Sequence, residues 1–203
     1  MTDSEHPIDT KTRNRNRALL ITILLLFFGS MLVAGALRFS GWMPEGRKNH
    51  GTLIEPPVDL RAVVPSLVDG GEYQWNPDER IWRIAVAPPA DCGEACGALA
   101  QRLDTIWRLF GKDADRVHLL WVCGSPGCMP PAGAPRPRTL RLLQPDPRLL
   151  EALSAPVPGA EGTAAQGPSL YVIDPNGFVI LRYPPGFDPV GLRSDLVKLL
   201  KLI

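Results

Sequence analysis

The sequence predicts an α/β domain, a central mixed β-sheet flanked by helices, preceded by one N-terminal transmembrane helix. Three observations lead there. Residues 18–37, "ALLITILLLFFGSMLVAGAL", carry no charge and follow a basic stretch. From Trp82 onward, strand-like and helix-like periods alternate in the order β–α–β, a long connection, β–β, α. The segment "PSLYVIDPNGFVILRYP" reads as a hairpin, two apolar runs around a turn-forming tetrapeptide.

Residues 1–17 include Lys11, Arg13, Arg15 and Arg17. A basic flank of this kind predicts a cytoplasmic N-terminus. A bilayer core about 30 Å thick needs roughly 20 apolar residues as helix, so residues 18–37 can span it. "AGA" at 34–36 resembles a signal-peptide cleavage site. The apolar run is longer than the roughly 7–15 residues usual for a signal sequence, so an uncleaved anchor is expected. Either way the rest of the chain faces an oxidising, extracytoplasmic space, where disulfides persist. The net charge of +1 leaves no nucleic-acid footprint.

Residues 38–80 mix short apolar pieces with Pro, Gly and Asp and read as a linker and an N-terminal extension with edge strands or a hairpin. The domain proper is expected over 81–203. "IWRIAVAPP" is a strand with Trp82, Ile84 and Val86 alternating, ended by two prolines. Leu99, Leu103, Ile106 and Phe110 form one helical face, with Gly111 as the stop. "RVHLLWVCG" is nearly continuous in apolar residues, as a strand buried on both faces would be. Residues 129–168 are rich in Pro and Ala, with a short helix near "DPRLLEALS". In the hairpin, Pro175 presets φ and Gly177 accepts positive φ. The last helix has Asp188 as cap and Pro189 in its first position, with Leu192, Leu196, Leu199 and Ile203 on its face. This element order is that of a thioredoxin fold.

On that framework Cys92 falls in the loop after the first core strand and Cys96 in the first turn of the helix. Unpaired N–H groups and the positive end of the helix dipole favour thiolate there, while Asp91 and Glu94 oppose it. A thiolate is both a nucleophile and a soft Cu(I) ligand. Cys123 and Cys128 follow the next core strand. Right-handed crossovers make the two strands parallel and often adjacent, so all four sulfurs are expected at one end of the sheet. For each pair a structural disulfide and an active or accessory thiol role stay open. A four-cysteine zinc site fits the C-x3-C and C-x4-C spacings only loosely. His118 reads as a packed or edge histidine, and Trp75, Trp82, Trp107 and Trp121 as packing residues. No phosphate loop, hydrolase elbow or H-E-x-x-H motif occurs.

"CGEAC" and "LYVIDPNGFVILRYP", with the membrane helix, resemble the Sco/SenC family of cytochrome c oxidase assembly proteins, within the thioredoxin-like superfamily. The resemblance covers roughly residues 82–203. It implies thiol–disulfide exchange, Cu(I) handling, or both at Cys92 and Cys96. It further implies an extracytoplasmic domain on a bacterial inner membrane, in the periplasm, and a partner in cytochrome c oxidase subunit II or another assembly factor. Two features depart from the family: glycines, Gly93 and Gly97, stand where it has prolines, and its copper histidine corresponds to Gln166. "QGPSLYVID" also resembles the thioredoxin and TlpA-like pattern, in which a cis-proline packs against the redox cysteines; Pro168 matches that position. The competing expectation is a non-catalytic, membrane-tethered interaction module with both cysteine pairs held as structural disulfides.

Overall fold

The structure, a computed structural model, describes residues 10–41, 49–89, 92–125, 128, 137–154 and 168–202. It divides into two compact units, Met1–Arg47 and Lys48–Ile203. In the first, α1 (Thr10–Phe39) contains an 18-residue stretch of mean hydropathy 2.5. Among the described residues it is the one helix long and apolar enough to cross a membrane.

The second unit is built on a six-stranded mixed sheet. Its strands are β1 (Thr52–Asp59), β2 (Trp82–Val86), β3 (Val117–Val122), β4 (Leu140–Leu143), β5 (Leu170–Ile173) and β6 (Phe178–Tyr183), in the spatial order β1-β6-β5-β2-β3-β4. β2, β3 and β4 are parallel, while β5 and β6 run antiparallel to β2 and to each other. β1 closes one edge against β6, with a register shift between Leu53 and Val58 that spans Pro56 and Pro57. Prolines are tolerated there because an edge strand has one unpaired side. β4 forms the other edge and is partly covered by residues 66–72 through a bridge from Leu67 to Leu143.

α2 (Gly93–Arg108) and α4 (Pro189–Leu200) cover one face of the sheet. Trp82, Ile84 and Val86 of β2 and Val117, Leu119 and Trp121 of β3 point into that layer. α3 (Pro147–Ser154) covers the other face with Leu149 and Leu153, against Ala85, Leu120, Val122, Tyr171 and Ile173. The hairpin forms around the predicted turn, with Gly177 at φ +95°; a Cβ there would lie 3.2 Å from the Trp75 ring. Asp188 caps α4 by accepting from the N–H groups of Val190 and Gly191.

Four expectations are corrected. β4 lies inside what the sequence presents as an irregular connection; four residues are too few to carry a period. The buried stripe of α4 is Leu192, Leu196 and Leu200, with Leu199 only half-buried and Ile203 outside the described residues. His50 is not in a free linker but sits against α4. Gly111, at φ +58°, follows α2 by three residues and opens a short 3-10 turn, Gly111–Arg116, so Phe110 packs from just beyond the helix.

Two polar networks fasten the sheet. Arg83 of β2 reads as the polar residue of an alternating strand, yet it is 0% exposed. Its guanidinium donates to Tyr73 Oη at 3.0 Å and to the carbonyls of Asp174 and Pro175 at 2.9 and 3.0 Å. It also lies over the rings of Tyr73 and Trp75. Tyr73 Oη in turn bonds His118 Nδ1 at 2.8 Å. Burial, aided by the positive charges of Arg141 and Arg83, lowers the His118 pKa to about 4. The neutral ring therefore accepts from Tyr73 while Tyr73 accepts from Arg83, so the chain of donors runs one way.

The second network centres on Asp195, 3% exposed on α4. It accepts from the backbone N–H groups of His50 (2.6 Å) and Gly51 (3.1 Å) and from Tyr183 Oη (2.8 Å). Lys198 Nζ lies 3.2 Å away. Burial pushes the Asp195 carboxyl up, but these bonds outweigh it and hold the group at about 2. A Cβ on Gly191 would fall 2.8 Å from His50, and one on Gly51 would fall 2.6 Å from the Tyr183 ring. The strap thus needs two glycines as well as the carboxylate.

Truncation of Asp195 to Ala strands a buried hydroxyl and two backbone donors and is expected to destabilise the domain by about 3 kcal/mol. Urea unfolding of the full chain in detergent, followed by tryptophan fluorescence, measures this; a loss below about 1 kcal/mol contradicts the network. The His118 pKa is depressed in the folded state, so the unfolded chain takes up this proton first as pH falls from about 6.5 to about 4. Stability from this group is complete above that window and lost within it. The urea midpoint is expected to fall between pH 7 and pH 5, and less steeply in His118→Phe; equal slopes in the two proteins refute the assignment.

Candidate functional site

The four cysteines lie at the C-terminal ends of β2 and β3. The parallel register sets Val86 beside Trp121, so the chain leaves both strands at the same edge of the sheet. Cys92 follows β2 and occupies the N-cap position of α2, while Cys96 is on its first turn. Cys123 comes one residue after β3 and continues the inward alternation of Val117, Leu119 and Trp121. Its N–H donates to Leu143 O at 2.9 Å, so its backbone extends the ladder toward β4.

Both pairs are disulfides, Cys92–Cys96 with Cα atoms 5.5 Å apart and Cys123–Cys128 with 5.6 Å. Cys96 is 7% exposed and Cys123 is 0% exposed, in the layer beneath α2 and α4. Cys92 and Cys128 are half-buried and pack against the same layer. Each pair therefore has an inner and an outer sulfur. A partner can reach Cys92 more readily than Cys96. Cys96 lies in the first helical turn, where the positive end of the helix dipole favours a thiolate and burial in the apolar layer opposes it. Glu94 is exposed in the same turn and adds an opposing charge.

The entry into α2 between the first two cysteines turns at Gly93. Its φ of +48° is in the left-handed region, open to glycine at little cost and inaccessible to proline. A proline at this position could not form this backbone. Pro168 stands two residues before β5, whose Leu170 pairs with Val86, so it reaches the edge from which Cys92 emerges. Asp91, Gln166 and the Gly167–Pro168 bond involve residues outside those described, as does His6.

Among the described residues no group of three or more His, Cys, Asp or Glu gathers to hold a metal. The pair Cys92–Cys96 offers two sulfurs, and only once reduced. His118 is bonded to Tyr73, whose ring belongs to the cluster on the opposite face of the sheet, and His50 is engaged with Asp195. Reduced, the Cys92–Cys96 pair by itself offers two sulfur donors to Cu(I) as cargo. Trp82 and Trp121 are core residues; Trp75 and Trp107 are half-buried and donate to the carbonyls of Val63 and Ala114.

The chain shares its fold with solved Sco/SenC proteins. A SCO1/SenC family lipoprotein from Bacillus anthracis superimposes with a TM-score of 0.52 at 15% identity, covering 72% of this chain and 98% of that one. BsSco, described as a member of the Sco family of cytochrome c oxidase assembly proteins, gives 0.51 at 14% identity, with coverage of 74% and 95%. The apo Sco1 protein from Thermus thermophilus gives 0.50 at 17% identity, with coverage of 77% and 99%. Comparison with curated proteins gives no match. Residues 82–203 match the family described as transmembrane-like, thioredoxin-like, C-terminal domain. That match takes in the whole stretch from β2 through α4, both cysteine pairs included, and the chain belongs to this family.

Proposed function

We propose that this protein is a membrane-anchored thiol–disulfide exchange protein whose reacting pair is Cys92–Cys96. The observation that carries this reading is the position of that disulfide: at the start of α2, outer sulfur half-buried, inner sulfur buried in the first turn. A partner thiolate attacks Cys92 Sγ, a mixed disulfide forms, and Cys96 leaves as a thiolate stabilised by the N–H groups of the first turn. In the reverse direction Cys96 attacks Cys92 Sγ and releases the partner. Pro168, at the same edge, shapes the side on which the partner docks.

The setting we propose is the periplasmic face of a bacterial inner membrane, with α1 as the anchor. The partner is cytochrome c oxidase subunit II or another assembly factor. Support comes from the apolar length of α1 and from the fold shared with BsSco, itself named as an oxidase assembly protein. A second reading, delivery of Cu(I), draws on the same two sulfurs in their reduced form, and a Cu(I) competition titration of the reduced chain tests it. One copper per chain, lost in Cys92→Ser, Cys96→Ser, supports delivery; no binding above that variant removes it.

The Cys92–Cys96 potential is expected above about −300 mV, the level below which disulfides are structural. Cys96→Ser is expected to accumulate a mixed disulfide at Cys92 with an added partner disulfide, and Cys92→Ser to lose it entirely. Differential alkylation with peptide mass mapping reads both. A potential below that level, with no adduct at Cys92, favours the alternative of a non-catalytic tethered module.

A further inference from the structure

The second disulfide shares more with the first than a sheet edge. Cys123 extends the alternation of β3 into the layer that α2 covers, and Cys96 enters that layer from the first turn of α2. α2 starts at the edge where β2 and β3 end, so its first turn lies over the strand ends from which Cys123 emerges. Both inner sulfurs belong to one contiguous apolar cluster, and both outer sulfurs pack against it. Cys123 is tied down through Leu143, whereas Cys128 closes a loop of only four intervening residues. Loop-closure stabilisation grows with loop length, so a loop this short holds the fold together less than a longer one would.

We propose that Cys123–Cys128 is a second exchanging pair, which takes electrons from Cys92 and Cys96 through a transient Cys96–Cys123 bridge. The proposal rests on exchange at Cys92–Cys96. A partner dithiol first reduces that bond. Cys96 thiolate then attacks Cys123 Sγ; the Cys96–Cys123 bond forms, the Cys123–Cys128 bond breaks, and Cys128 leaves as a thiolate that takes up a proton. Cys92 thiolate next attacks Cys96 Sγ; Cys92–Cys96 re-forms and Cys123 leaves, taking a second proton. Two electrons have moved from the first pair to the second, and the two protons lost by one dithiol equal the two gained by the other. The half-buried Cys128 then serves as a second outlet, toward a partner disulfide.

The test uses the full chain in detergent with both outer sulfurs removed, Cys92→Ser, Cys128→Ser, under mild oxidation by glutathione disulfide. Peptide mass mapping is expected to find Cys96 linked to Cys123 in most molecules; both remaining as separate thiols or glutathione adducts overturns the relay. A kinetic arm covers a folding failure of that variant. Dithiothreitol is expected to reduce Cys123–Cys128 at least tenfold more slowly in Cys92→Ser, Cys96→Ser than in the unsubstituted chain, and equal rates overturn the relay. Cys123→Ser, Cys128→Ser separates this idea from its premise. If that variant still exchanges at Cys92 while the trap stays empty, only the relay fails; if it no longer exchanges, the premise fails too.

Discussion

The parallel pairing of β2 with β3, in the register that sets Val86 beside Trp121, is the constraint on which the rest of the domain depends. It brings two chain exits to one edge, and with them all four cysteines. It also aligns the odd-numbered residues of β3 with the face under α2, so that Cys123 continues a row of packing side chains. A slip of one residue would turn Cys123 toward α3 and separate the pairs across the sheet. The right-handed crossover through α2 then sets the start of the helix above the strand ends.

The sheet divides its tasks between its two ends. At the N-terminal ends of β2 and β3, Arg83, Tyr73 and His118 fill the interior with directed hydrogen bonds, and the turn at Asp174 and Pro175 is tied into them. The arginine charge is met by carbonyl dipoles, a hydroxyl and two ring faces. At the opposite end the two disulfides lie in and against the apolar layer under α2 and α4. The polar network and the cysteines thus occupy opposite ends of the same two strands.

Much of this was legible in the sequence, and the rest was hidden for identifiable reasons. The cap at Asp188, the turn at 174–177 and the face of α2 are local, and local signals carried them. The gathering of the cysteines needed only the handedness of one crossover. The burial of Arg83 was hidden because alternation cannot tell a solvated arginine from one enclosed by Tyr73 and Trp75. Asp195 looks like any exposed helix carboxylate; its partners at His50 and Gly51 lie 145 and 144 residues away, beyond any periodic signal. At the site, spacing left the pairing of the sulfurs open, and the left-handed backbone at Gly93 reads in sequence only as a missing proline.

The strap between Asp195 and the residues at His50 and Gly51 bears on how the chain is made. Synthesis runs from the N-terminus, so the two backbone donors emerge early and wait, unsatisfied, for a carboxylate that arrives near the end. Until α4 has been delivered, the entry to β1 is unlatched and Tyr183 has no acceptor in Asp195. A product cut short before that helix would keep both cysteine pairs but lack the clasp, and so would be a ready substrate for a protease. Latching of the β1 entry thus waits on the delivery of α4.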